Sequence, residues 1–203
     1  MSDAVHPFKL ISLLLQYPDD ELLEARPALA EAADELTPGP QAEAIASFAH
    51  WYRDEPRAEL QARYVETFDF ARRTSLHLTY HVLGDRRQRG TALLSLKQRY
   101  AAAGMPLADG ELPDYLPVVL EFAALAPEPG LEILERHRTS IELIRAALHG
   151  QGTPWAPLLD AVALPLPGLT RTQLARVRRL AQEGPPEEEV GLEPFGPPEV
   201  MAS

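Results

Sequence analysis

The stretch YVETFDFARRTSLHLTYHVL, residues 64–83, decides the fold class, because a polar break with two arginines separates two segments that have apolar faces. Leu60, Tyr64 and Phe68 recur every four residues, which places them on one face of a helix. Past the break, Leu76, Tyr80 and Leu83 repeat that spacing and predict a second helix, with Thr74 or Ser75 as its N-cap. Asp69, Arg72 and Arg73 lie between. Apolar faces joined by a charged break, with no catalytic signature inside it, make the pattern of a binding surface.

Outward from this stretch the chain reads as helix after helix. Toward the N-terminus, Phe8 to Tyr17 forms a short apolar helix stopped by Pro18. Asp19 to Leu36 follows, with Pro27 expected to bend or restart it. Residues 37–40, TPGP, are a turn; Gln41 to Asp54 is helical, and Pro56 opens the helix that ends near Asp69. Toward the C-terminus, Asp85 is expected to cap a helix through Leu96 and Tyr100 that closes at Gly104. Pro113 or Asp114 starts the next, through Leu116, Val119, Leu120 and Ala123, and Pro127 to Gly130 reads as a break. One stripe then runs from Leu131 to Leu148, and a proline-rich stretch, residues 153–168, leads to an amphipathic helix spanning Leu169 to Ala181. The prediction is an all-α protein with one helical domain, residues 1–182. Residues 183–203 hold six glutamates, five prolines and no base, a composition that predicts a disordered tail.

Composition narrows the class of function. A chain of 203 residues needs neither disulfides nor metal to fold. The absence of cysteine excludes thiolate metal sites, iron–sulfur ligation and thiol nucleophiles, and fits a reducing, cytoplasmic location. The apolar run Leu10 to Leu15 is too short to span a bilayer and lacks the basic flank of a secretion signal. Net charge is −11, and residues 1–70 hold 14 acids against 5 bases, which repels nucleic acid and attracts cationic segments. The arginine clusters at 86–89 and 171–179 read as solvated helix faces, with a phosphate-binding stripe on the second as the alternative.

Catalytic constellations are sparse. His77 and His81 are four apart and could share a helix face, so a helical metal-dependent enzyme is the alternative reading. The glutamate of the zinc-protease signature is absent between them, and no nucleophile elbow, P-loop or dinucleotide fingerprint occurs.

The motifs Y-V-E-T-F-D (64–69), R-R-T-S-L-H-L-T-Y (72–80) and E-L-P-D-Y-L-P (111–117), at this spacing, resemble the respiratory nitrate reductase assembly chaperones, the NarJ branch of the TorD/DmsD redox-enzyme maturation family. The resemblance runs from about Phe8 to about Leu164. It implies a TorD-like all-helical bundle that is not an enzyme. Such proteins bind the apo catalytic (alpha) subunit of nitrate reductase in the cytoplasm, partly through its N-terminal peptide, and hold it until the molybdenum cofactor is inserted, before it docks on the membrane. That cofactor belongs to the client, so none is expected here. In the wider family, histidine commonly follows the aspartate where this chain has Tyr115, a departure that bears on any role needing an imidazole.

A basic amphipathic segment can lay its apolar face in a groove between helices while its charges meet carboxylates at the rim. Tyr64, Phe68 and Tyr80 are assigned to the groove floor, with Leu112, Leu116 and Val119 opposite; Glu66, Asp69 and Asp114 form the acidic rim. Asp114 also reads as a helix cap. A monomer is expected, and an exposed apolar groove is also a route to a dimer.

Overall fold

The computed structural model describes residues 5–84, 87–108 and 110–184. Within them the chain forms eleven α-helices and one 3-10 turn: α1 Pro7–Leu14, α2 Asp20–Asp34, α3 Pro40–Asp54, α4 Arg57–Phe68, the turn Arg72–Thr74, α5 Tyr80–Leu83, α6 Arg87–Ala102, α7 Leu116–Leu125, α8 Pro127–Arg136, α9 Arg138–Gln151, α10 Ala156–Ala163 and α11 Arg171–Glu183. The only extended pairing among the described residues is an isolated antiparallel bridge between His77 and Tyr115. The all-α expectation holds.

Helix α1 is the axis of the bundle. It is apolar on most sides, with Phe8, Leu10, Ile11 and Leu14 buried, and it packs against α2, α3, α7 and α10. Asp19 caps α2 by accepting from the Leu22 amide at 2.9 Å. Pro27 does not restart α2, which runs through it: the proline deprives the Leu23 carbonyl of its helical donor, and the Arg26 side chain supplies a replacement at 3.1 Å. Proline at the first turn opens α3, α7, α8 and α10, where a missing N–H costs nothing. The same rule governs two further stretches. The preceding helix does end before Pro127, but Pro127 to Gly130 are themselves the first turn of α8, and the proline-rich stretch 153–168 contains α10, whose Leu158, Leu159, Ala161 and Val162 are buried.

Gly130 sits where α8 crosses α7. A β-carbon there would lie 2.3 Å from the Ala123 Cα and 2.6 Å from its Cβ. Gly130→Ala therefore forces the two helices apart and is expected to cost about 1–3 kcal/mol, read as a lower urea midpoint with unchanged far-UV helicity at low denaturant.

The segment after α4 departs most from the sequence reading. Residues 74–79 do not start a helix. They run beside residues 114–116, with the Leu78 amide donating to the Asp114 carbonyl at 2.9 Å and the Leu116 amide to the Leu76 carbonyl at 2.8 Å. Thr74 turns inward as a buried link, its hydroxyl donating to the Ala71 carbonyl at 3.0 Å, and caps nothing. Only Tyr80–Leu83 is helical. Asp85 and nearly all of the acidic tail lie outside the described residues, and the expected boundary at 183 falls on the last residue of α11.

Candidate functional site

The ends of α1, α4 and α7 and the bridged segment surround an open groove of about 600 Å³. Its apolar wall is Tyr17, Tyr64, Phe68, Leu112, Tyr115 and Val118; Asp69, Glu111 and Glu121 bring carboxylates to it. The aromatic wall is rigid. Tyr64 and Phe68 lie 4.8 Å apart, Tyr17 meets Tyr64 edge-on at 5.5 Å, and both α4 rings pack on the buried Trp155 behind them. The Tyr64 hydroxyl donates to the Leu15 carbonyl at 3.1 Å and lies 3.3 Å from the Tyr115 hydroxyl. Burial pushes both phenols above their ordinary value, so they stay protonated and keep these links. Leu112 and Tyr17 are 42% and 44% exposed, so among the described residues this wall carries exposed apolar surface. Phe70, just beyond Asp69, is 83% exposed.

The structure thus brings Tyr64, Phe68, Asp69 and Leu112 to one groove. Tyr80 lines an adjoining cavity that shares Phe68, Asp69, Ser75 and His77 with it. Four expected site residues stand elsewhere. Leu116 and Val119 are fully buried on the core side of α7, so they support the wall and do not form its surface. Glu66 is exposed but lines a separate polar cavity with Arg63 and Thr153.

Asp114 is not on the rim, because none of it is exposed, and it does not cap α7, whose N-cap position is Tyr115. Its Oδ2 accepts from the Thr79 amide at 3.2 Å and from the Thr79 hydroxyl, with the Arg89 guanidinium 3.6 Å away. Its Oδ1 faces the His77 Nδ1 at 3.4 Å. Burial acts to raise its pKa, but the Thr79 hydrogen bonds and the neighbouring His77 and Arg89 side chains outweigh it and hold the carboxyl at about 2. A buried, ionised carboxylate here ties the 74–79 segment to the start of α7. An imidazole thus does stand beside this aspartate, from residue 77, where sequence reading looked for one at 115.

His77 and His81 do not converge. The buried His81 holds its Nε2 at 2.6 Å from the Ser75 carbonyl, and burial lowers its pKa, so it is a neutral donor that shapes the turn. Among the described residues no three His, Asp or Glu side chains gather as a metal site, and no helix is long and apolar enough to cross a membrane. Sequence reasoning did not assign Tyr17, Tyr115, Glu111 or Glu121 to the groove. A tyrosine directly before Pro18 was a usable signal, since the chain leaves α1 there.

The described residues thus form a helical bundle with an open aromatic groove edged by carboxylates. The chain belongs to the nitrate reductase delta subunit family, whose description matches residues 26–161. It is 32% identical over 162 residues to NarJ of Bacillus subtilis, described as a nitrate reductase molybdenum cofactor assembly chaperone, covering 79% of this chain and 88% of that one. It is 35% identical over 154 residues to the NarJ chaperone of Escherichia coli K12, covering 74% and 65%. Over 152 residues it is 37% identical to the nitrate reductase-like protein NarX of Mycobacterium tuberculosis, covering 74% of this chain but only 23% of that longer protein. The crystal structure of a candidate redox enzyme maturation protein from Archaeoglobus fulgidus shares the fold, with a TM-score of 0.57, 24% identity, and coverage of 76% and 88%.

Proposed function

We propose that this protein is a cytoplasmic, system-specific chaperone and not an enzyme. It binds the apo catalytic subunit of a respiratory nitrate reductase, including its N-terminal segment, and holds it for molybdenum cofactor insertion before membrane docking. The observation that supports this best is the groove itself: a rigid aromatic wall with exposed Tyr17 and Leu112, edged by Asp69, Glu111 and Glu121, within a fold whose relatives are named as assembly chaperones. An amphipathic helix laid there would bury apolar side chains on Tyr17, Tyr64, Phe68 and Leu112 and set its bases against the carboxylates. Asp114, Leu116 and Val119 hold that wall from beneath. The helical domain is the binding unit, and the cofactor is the client's cargo, so the chaperone brings none of its own.

The test is capture of the purified apo catalytic subunit, with and without its N-terminal segment. The full subunit is expected to be retained and the truncated one to bind at least tenfold more weakly, a loss of about 1.4 kcal/mol or more. Equal retention of both would refute groove binding of that segment.

A further inference from the structure

We propose that His77 sets the groove's selectivity: its ring presents Nε2 as a hydrogen-bond acceptor, so the groove favours a segment that places an arginine or lysine N–H at that point. This rests on the groove being the client site. The ring lies on the wall between the groove and its neighbouring cavity, and its side chain is 31% exposed. Its Nδ1 is buried and turned to Asp114, 3.4 Å from an Oδ1 that is itself buried and without a hydrogen-bond donor.

Two orphaned atoms facing each other fix the tautomer. If Nδ1 carries the proton, one small approach satisfies both; if it does not, a nitrogen lone pair faces a carboxylate inside the protein, an arrangement that costs free energy with no compensation. With its proton on Nδ1, the ring carries its lone pair on Nε2, on the side away from Asp114. Stacking on Tyr115 at 5.3 Å, and the backbone bridge between the same two residues, hold the ring in place. The acceptor is therefore aimed before anything binds, which limits the ordering cost of using it. The charged and titratable groups around the ring are Asp114 and Arg89 behind it, neutral His81 from α5, and Asp69 and Glu111 across the groove. The rim carboxylates attract any cation without direction, whereas a fixed lone pair discriminates by position and by the presence of an N–H.

The test uses the full chain. Long-range ¹H–¹⁵N spectra are expected to show His77 protonated on Nδ1 with a bare Nε2. A synthetic peptide of the catalytic subunit's N-terminal segment is then titrated into wild type, His77→Phe and His77→Gln, all confirmed folded by far-UV circular dichroism at the titration temperature. His77→Phe keeps a ring to stack on Tyr115 but has no acceptor, so binding is expected to weaken about tenfold, as for loss of a hydrogen bond to a charged group. The amide oxygen of His77→Gln should restore part of it. A peptide with norleucine in place of its arginines and lysines should bind wild type and His77→Phe equally. A proton on Nε2, or undiminished binding of the native peptide by His77→Phe, overturns the role of His77 alone. Failure of wild type to bind the peptide overturns the groove reading and this role with it.

Discussion

Trp155→Ala is expected to lower the stability of the folded chain by about 3–5 kcal/mol, the range for deleting a large buried aromatic side chain. The indole is fully buried in the turn ahead of α10, where it meets Phe48, Trp51, Tyr64 and Phe68 at centroid distances of 5.5–5.9 Å. Four rings from α3 and α4 would border the cavity, and helices fixed on both sides limit collapse. The indole N–H also donates to the Leu14 carbonyl at 3.3 Å, at the end of α1, so the substitution leaves that acceptor unpaired. Trp155→Phe, which restores most of the ring but not the donor, should recover more than half of the loss. Urea titration decides the matter, and a loss below 1 kcal/mol for the alanine variant would contradict the packing described. Because Tyr64 and Phe68 rest on this indole, the alanine variant should also blur the groove wall before it unfolds the protein.

Asp114→Ala should cost a similar amount, about 3–5 kcal/mol, because it removes the buried carboxylate from a charge-paired cluster. The Thr79 amide and hydroxyl lose their acceptor, and Arg89 and His77 lose the charge they face. The pH dependence separates this cause from loss of packing. A carboxyl held at about 2, against 3.8 when unperturbed, binds protons more weakly in the folded than in the unfolded chain. Its contribution is fully present above about pH 4 and is lost as pH falls toward 2, amounting to roughly 2 kcal/mol. Wild-type stability should fall across that window more steeply than that of Asp114→Asn, measured in urea at each pH. Parallel curves would show that the carboxylate is not held ionised by its neighbours.

These two side chains mark the limit of what periodicity reveals. The four-residue spacing of Leu60, Tyr64 and Phe68 was legible because each falls on the inner stripe of α4, and the helical class follows from many such stripes. Spacing could not tell a groove wall from a core. Leu116 and Val119 share their stripe's direction with the interior, whereas Leu112 precedes the helix and stays half in solvent. The 74–79 segment was misread because its hydrogen-bond partners lie some 35 residues away, at 114–116, and no local propensity reports such pairing. Helix α10 was hidden among prolines, one of which stands in its first turn and favours the helix it seemed to exclude. Of the rim only Asp69 was legible: its carboxylate follows directly from a helix end, but Glu111 and Glu121 join it only once α7 is folded against α1.

The most direct measurement is isothermal titration of the N-terminal peptide of the nitrate reductase catalytic subunit, beside a scrambled peptide, into wild type and a Tyr17→Ala, Leu112→Ala double variant. Both substitutions remove exposed side chains and should leave the fold intact. Saturable one-to-one binding of the native peptide alone, weakened at least tenfold in the double variant, is the expected result. Equal heats for native and scrambled peptides, or full affinity in a folded double variant, would contradict the groove as the client site.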